Sequence, residues 1–481
     1  MVTSRISASS FNKTKIIATV GPASASERML TSLIENGVGI VRLNFSHGTH
    51  AQHQQVIDIV RTINQTQGRH IALLQDLQGP KIRIGAVAGD AVNLMQGQKL
   101  AITTTPLVGT AEKVSTSYQH LTKDVKVGDR LLIDDGKIIL QAVKKIGTDL
   151  VTEVLHGGWL RSKKGINLPF SKLSSPSLTA KDKIDLAFGL QNDVEWIALS
   201  FVQQVQDVVD LKDRIAAAGK TAKVIAKIEK PEALDNIDAI IQAADALMVA
   251  RGDLGVEIAV EQVPMAQKRI VSQCNQAGKP VIIATQMMES MIESPTPTRA
   301  ETNDIVNAVI DGADALMLSA ETATGQYPRE VIKKMKKTIL AAEKHATIYN
   351  KYQSISFRSP TFHNDSIVRT ACRLSQEVKA KAIVCMTQTG WVAFALAKHR
   401  PQADIFFFTA NRTLLSTIGL VWGTRGYYYD RMVSTDDTFA DMEEILVQAN
   451  YLKKGAVFIS MASMPIQARQ QTNMLKINVV T

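Results

Sequence analysis

Lys227 and Glu229 stand two residues apart in "KVIAKIE". In an extended strand that spacing sends both side chains out of one face. A fixed cation and a hard oxygen donor therefore leave the backbone together. Asp253, just past the apolar run "LMVA", offers a second carboxylate. Mg²⁺ and Mn²⁺ commonly take a few protein carboxylates and complete their shell with water and substrate oxygens, so Glu229 and Asp253 form a candidate divalent-metal pair. Arg42, Arg83 and Arg251 join Lys227 as cations at or just beyond the ends of apolar runs. With a divalent ion they suit a phosphoryl group in transfer, whose oxygens must be held and neutralised. Salt bridges around a rim are the plainer reading of the same charges. Thr285, closing "PVIIAT", either caps the following helix or orients a water and relays a proton. His47, followed by Gly48, reads as a turn residue; H-E-x-x-H, G-x-S-x-G and Walker sequences are all missing.

These residues need a scaffold that gathers strand ends. Short apolar, β-branched runs recur at 15–20, 39–44, 71–76, 196–201, 223–229, 247–251, 281–285 and 315–319. Helical patterns fall at 25–36, 50–67, 180–191, 204–217, 231–242, 261–277, 299–310 and 327–345. Buried strands alternating with helices predict a parallel sheet, and eight units close a (β/α)₈ TIM barrel. A doubly wound open sheet is the alternative. Barrel enzymes place their chemistry at the C-terminal strand ends, where the charged residues above stand.

The third and fourth runs are far apart, and the stretch between them changes period. "VNLMQGQKLAITTT", "VKVGDRLLIDDGKIILQAVKKI" and "DLVTEVLHGG" read as short strands joined by Gly, Asp and Asn turns. The expected domains are thus a barrel in two parts, 1–83 and 169–345, an inserted small β-barrel lid at 84–168, and a C-terminal α/β domain at 346–481. A lid leaving after strand three stands over the mouth and can exclude water. In the last domain, Thr387, Gln388, Thr389 and Gly390 lie between a strand and a helix, where backbone N–H groups can bind a phosphate effector or simply begin the helix.

Composition narrows the partners. The chain has 55 Lys and Arg against 45 Asp and Glu, a net charge of +10, and 45% hydrophobic residues. An anionic partner fits, but no dense basic tract interleaved with aromatics points to nucleic acid. Cys274, Cys372 and Cys385 are too few and scattered for a disulfide scaffold. No apolar stretch approaches the ~18 residues of a membrane span. A cytoplasmic protein acting on a phosphorylated small molecule is the expectation.

Longer motifs carry a resemblance. "TKIIATVGPAS" (14–24), "GIVRLNFSHG" (39–48), "DLQGPKIR" (76–83), "IDDGKI" (133–138), "KKGINLP" (163–169), "KIEKPEAL" (227–234), "LMVARGDLGVEI" (247–258), "ATQMMESMI" (284–292), "PTRAETNDIVNAVIDGADALMLSAETATGQYP" (297–328) and "TQTG" (387–390) together resemble the pyruvate kinase family. The resemblance implies a barrel, a lid, an α/β domain and a homotetramer. The implied reaction is phosphoryl transfer from phosphoenolpyruvate to ADP, giving pyruvate and ATP, the last step of glycolysis. It further implies Glu229 and Asp253 as metal carboxylates, Arg42 on the moving phosphoryl group and Lys227 neutralising phosphoryl and enolate charge. Thr285 joins the proton delivery, Gly252 and Asp253 offer backbone N–H groups to the substrate carboxylate beside Arg251, and Asn44, His47, Arg83 and Lys164 lie on the nucleotide side.

Two departures sharpen the expectation. Asn44, Ser46, Asp76 and the backbone of Leu77 resemble the family's monovalent-cation pocket, but Lys81 stands where K⁺-requiring members carry Glu. A fixed ammonium can take the place of K⁺, so K⁺ independence is expected. "ISMASMPIQARQQTNMLKI" lacks the glycine-rich loop that cradles two phosphates in many members. Fructose 1,6-bisphosphate is therefore not the expected effector, and a sugar monophosphate, AMP or no effector stays open.

Overall fold

The computed structural model describes residues 12–169, 171, 174–431, 434–464 and 472–481. Eight parallel strands close a barrel: β1 (Lys15–Thr19), β2 (Val38–Asn44), β3 (Ala72–Asp76), β4 (Trp196–Leu199), β5 (Lys223–Ile228), β6 (Ala246–Ala250), β7 (Val281–Ala284) and β8 (Ala315–Leu318). Neighbours pair in chain order, and β1 pairs with β8 to close the ring. The open-sheet alternative is thereby removed. Strands such as "WIAL" and "ALMVA" are buried at every position, as expected where side chains meet the interior on one face and helices on the other. Ile17, Ile40, Leu74, Trp196, Ile225, Met248, Ile282 and Met317 fill the interior. Full burial of such a side chain is worth about 1.5–3 kcal/mol, so the barrel is a packed core and its chemistry is confined to the ends.

Each end is covered by a different unit. At the C-terminal mouth the inserted lid is a curled partial barrel. Its six-stranded sheet takes in Ile166–Asn167, Arg130–Ile133, Ile138–Ile146, Asp149–His156, Lys99–Thr103 and Lys113–Ser115, beside a two-stranded sheet of Gly158–Arg161 and Ala91–Leu94. Its two connections to the barrel cross at an Arg83–Gly165 bridge. At the opposite end sits the α/β domain, a five-stranded sheet ordered Thr424–Tyr428, Asp404–Thr409, Ala382–Met386, Val457–Ala462 and Met474–Val479, the last strand antiparallel. Leu420 of this domain reaches the barrel interior, and the Trp196 indole donates to the Thr417 carbonyl at 3.0 Å. Arg400 grips the barrel floor, meeting both carboxylate oxygens of buried Asp314 at 2.9 and 3.0 Å.

Several local expectations change. The pattern at 231–242 forms two helices, Pro231–Asp235 and Ile237–Ala243, because Asn236 leaves helical geometry and its side-chain amide donates to the carbonyls of Glu232 and Gln203. A helix at Arg251–Glu257 was not expected, since two glycines and few apolar residues hide its period. Of the segment 459–477, expected to lack the glycine-rich effector loop, residues 465–471 lie outside the described residues.

Candidate active site at the barrel mouth

The site begins where β3 and β5 end. Lys227 extends from β5 toward Asp76 at the end of β3, with Nζ 3.1 Å from Asp76 Oδ1, 3.0 Å from Glu229 Oε1 and 2.7 Å from the Ser200 hydroxyl. Asp76 Oδ2 accepts from Arg42 Nε at 2.7 Å, and Arg42 also donates to the Thr19 hydroxyl at 2.8 Å. One buried carboxylate thus orients two cations from β2 and β5. Burial pushes the Asp76 carboxyl up, but the charges of Lys227 and Arg42 hold it below its usual value. Burial opposes the charge on Lys227 as well, yet Asp76 and Glu229 raise its pKa, so it remains an ammonium.

Glu229 sits one residue beyond β5 and accepts the Phe201 N–H at 2.8 Å. Burial pushes its carboxyl above the usual range, Lys227 opposes that shift, and the charge of Asp253 adds to it. A buried carboxylate facing a second carboxylate is what a divalent cation relieves. Among the described residues no group of three or more His, Cys, Asp or Glu gathers as a metal cage, at the mouth or away from it. The pair fits Mg²⁺ or Mn²⁺, which need few protein ligands.

Thr285 does not cap a helix. The next helical turn begins at Glu289 and has no side-chain cap. Instead Thr285 takes a left-handed backbone, φ +66°, and Gln286 follows at +55°. A β-branched residue there is strained by about 1–3 kcal/mol and persists only where its surroundings force it. The forcing groups are visible. Gly252 N–H donates to Thr285 Oγ1 at 2.8 Å, Thr285 Oγ1 donates to the Ala284 carbonyl at 2.6 Å, and Arg251 donates to the Thr285 carbonyl at 2.7 Å. The Gly252 amide, expected to face the substrate carboxylate, is bonded to Thr285, and the Arg251 guanidinium, expected beside it, pairs with Asp304 at 2.8 Å; both residues line the cleft at the mouth.

Lys81 Nζ approaches Asp253 Oδ1 at 3.5 Å. Both line a cleft of about 800 Å³ with Asp135, Arg251, Gly252 and Gln286. Gly79 makes the turn that delivers Lys81: its φ is +68°, and a Cβ would strike Ser200 and Phe201 at 2.9 and 2.8 Å. Asn44 turns its side-chain oxygen to the Ser46 N–H at 3.1 Å, and the Leu77 carbonyl accepts from the Ser200 hydroxyl at 2.7 Å. Burial, together with Arg83, Arg42 and Lys81, keeps the His47 imidazole below its usual pKa. Arg83 and Lys164 stand on the lid's neck, the first donating to the Lys163 carbonyl at 3.2 Å and the second 2.8 Å from Asp134.

The mouth therefore gathers Arg42, Asp76, Lys227, Glu229 and, through the Lys81 contact and the charge felt at Glu229, Asp253. Such an assembly can hold and neutralise a phosphorylated acid. Residues 11–332 match the family "Pyruvate kinase, barrel domain", and residues 365–478 match "Pyruvate kinase, alpha/beta domain". The chain belongs to the pyruvate kinase family. It is 40% identical over 472 residues to the pyruvate kinase of Geobacillus stearothermophilus, covering 98% of this chain and 80% of that one. It is 39% identical over 464 residues to a Mycobacterium tuberculosis pyruvate kinase, covering 96% and 98%. The crystal structure of a pyruvate kinase from Cryptosporidium parvum superposes with a TM-score of 0.90 at 33% identity, covering 98% of this chain and 96% of the other. Pyruvate kinase is a phosphotransferase that moves the phosphoryl group of phosphoenolpyruvate to ADP, giving pyruvate and ATP.

Ser200, Thr19 and Glu257 were missed from the sequence. Ser200 stands one residue past β4 in "WIALSF", where a single small polar residue passed unnoticed among apolar neighbours. Thr387–Gly390 stay in the α/β domain, away from the mouth; Gly390 takes φ +86° before the helix Trp391–Lys398, and its N–H donates to the Thr387 hydroxyl at 2.9 Å.

Proposed function

We propose that the mouth carries out phosphoryl transfer from phosphoenolpyruvate to ADP with Mg²⁺ or Mn²⁺ held by Glu229 and Asp253. The supporting observation is the buried ion network in which Lys227 lies within 3.1 Å of both Asp76 and Glu229, since preorganised charge is the main catalytic need of phosphoryl transfer. A bound divalent cation supplies Lewis-acid neutralisation of substrate oxygens. Arg42 holds the moving phosphoryl group, and Asp76 fixes its guanidinium. Lys227 neutralises phosphoryl and enolate charge. Thr285 orients the water that protonates the enolate carbon, with its hydroxyl pinned between Gly252 and Ala284. Asp253, its backbone and the Gly252–Arg251 turn shape the carboxylate end of the substrate site, while Asn44, His47, Arg83 and Lys164 serve the nucleotide.

The same reading makes the enzyme independent of K⁺, because the Lys81 ammonium, 3.5 Å from Asp253, supplies fixed positive charge at the mouth in place of the monovalent cation. A homotetramer, a phosphorylated effector at Thr387–Gly390 and a cytoplasmic location complete the proposal. Cys274, Cys372 and Cys385 are free and buried, in keeping with a reducing compartment. Among the described residues no helix is long and apolar enough to cross a membrane.

The test is the initial rate of pyruvate formation from phosphoenolpyruvate, ADP and Mg²⁺ in matched K⁺ and choline buffers. Equal rates support both the reaction and the role of Lys81. A large activation specific to K⁺ removes the Lys81 reading, and absence of pyruvate in every buffer removes the reaction.

A further inference from the structure

Glu257 is the last residue of the helix Arg251–Glu257, whose first turn carries Gly252 and Asp253. Its side chain is 1% exposed. Oε2 lies 2.9 Å from Lys230 Nζ, whose side chain is 4% exposed. Oε1 accepts a hydrogen bond from Asn167 Nδ2 at 2.9 Å. Each partner belongs to a different part of the fold. Lys230 follows Glu229 directly and precedes the helix Pro231–Asp235. Asn167 lies on the last strand of the lid, Ile166–Asn167, paired with Leu132 and Ile133. One buried carboxylate therefore ties the lid's exit strand, the turn beside Glu229 and the helix bearing Asp253.

Stability alone is a poor reason for this arrangement. A buried ion pair is often no better than apolar packing of the same volume. What charge-assisted hydrogen bonds add is direction and fixed distance. Other bonds between lid and barrel, Ser174 to Asp124 at 2.6 Å and Ser171 to Asp129 at 3.0 Å, lie on the connecting segment after the lid and do not touch the helix bearing Asp253. The Asn167 bond enters the lid where its chain returns to the barrel, so a small rotation there is amplified at the far strands of the lid.

We propose that Glu257 is a positioning residue that fixes the lid's orientation against the metal-binding rim, through Asn167 on one side and Lys230 on the other. The proposal rests on the phosphoryl-transfer reading above. Asn167→Ala removes the lid arm and leaves the Lys230–Glu257 pair in place. Because Cys274, Cys372 and Cys385 are buried, fluorophores can be attached through Lys145→Cys on the lid and Gln206→Cys on the barrel, both exposed sites. In the full-length enzyme, Asn167→Ala is expected to broaden the lid-to-barrel distance distribution. It should also raise KM for ADP about tenfold, equivalent to about 1.4 kcal/mol, with KM for phosphoenolpyruvate and the melting temperature at wild-type values. Glu257→Gln should shift the same two readouts, and the double variant should add little to either single one. An unchanged distance distribution and ADP KM in Asn167→Ala overturn the proposal, as does a parallel rise of both KM values with a lowered melting temperature. If Glu257→Gln does not fold, Asn167→Ala decides by itself. If the wild-type protein makes no pyruvate, the functional reading fails while the distance measurement still decides whether Glu257 sets the lid.

Discussion

Lys227 donates to Asp76 across 151 positions of sequence, Nζ to Oδ1 at 3.1 Å. The two ends of β3 and β5 meet there because the barrel closes, and the same carboxylate also orients Arg42. Asp76→Asn keeps the shape and removes the charge. Arg42 and Lys227 then lose their shared anchor, and kcat/KM is expected to fall by about a hundredfold or more, about 2.7 kcal/mol of transition-state stabilisation. Steady-state kinetics with a circular dichroism control check this; wild-type kcat/KM would show that Asp76 plays no part.

Thr285 separates activity from stability. Its left-handed backbone is strained for a β-branched residue, so trimming the side chain relieves strain that offsets the lost Oγ1 bonds. Thr285→Ser keeps the hydroxyl and should keep most of the turnover. Thr285→Ala is expected to lower kcat by about 10²-fold, the scale of a lost proton-handling group, without lowering the melting temperature. A drop in melting temperature with kcat intact would make the residue structural.

Arg400 and Asp314 bind the α/β domain to the barrel floor. Both side chains are 4% exposed, and Arg400 adds bonds to Asn275 and to the Gly312 carbonyl. Arg400→Met leaves Asp314 buried and unneutralised, at an expected cost of about 3–5 kcal/mol. Joining it with Asp314→Asn should recover part of that loss. Denaturant unfolding of both variants measures the difference, and equal stabilities would refute the coupling.

His70 and His399 set an acid limit. Burial, with help from Arg412 for the first and from Lys398 and Arg369 for the second, lowers each pKa to about 4 from 6.5. A group with a depressed folded-state pKa contributes stability that is fully present above the unfolded value and lost as pH falls through the folded one. Stability should therefore decline from pH 6.5 to about 4, each histidine adding a slope of about 1.4 kcal/mol per pH unit. Replacing His399 with Asn should flatten the decline by one proton's worth. An unaltered slope would show that the ring is already charged in the folded protein.

The sequence by itself determined the barrel, because fully buried strands and amphipathic helices leave a periodic apolar signal that needs no distant partner. All eight strands stand where that signal placed them, and the residues at their ends were visible as charges interrupting apolar runs. Weakly apolar elements were lost: Arg251–Glu257 carries two glycines, and the outer strand Thr424–Tyr428 is only partly buried. Tertiary structure alone decided partnership. That Arg251 turns to Asp304, that Gly252 donates to Thr285, and that Glu257 reaches Asn167 depend on closure of the ring and on the lid's return path. Hydrophobic patterning is local, whereas a buried charge takes whichever partner the folded backbone brings within about 3 Å.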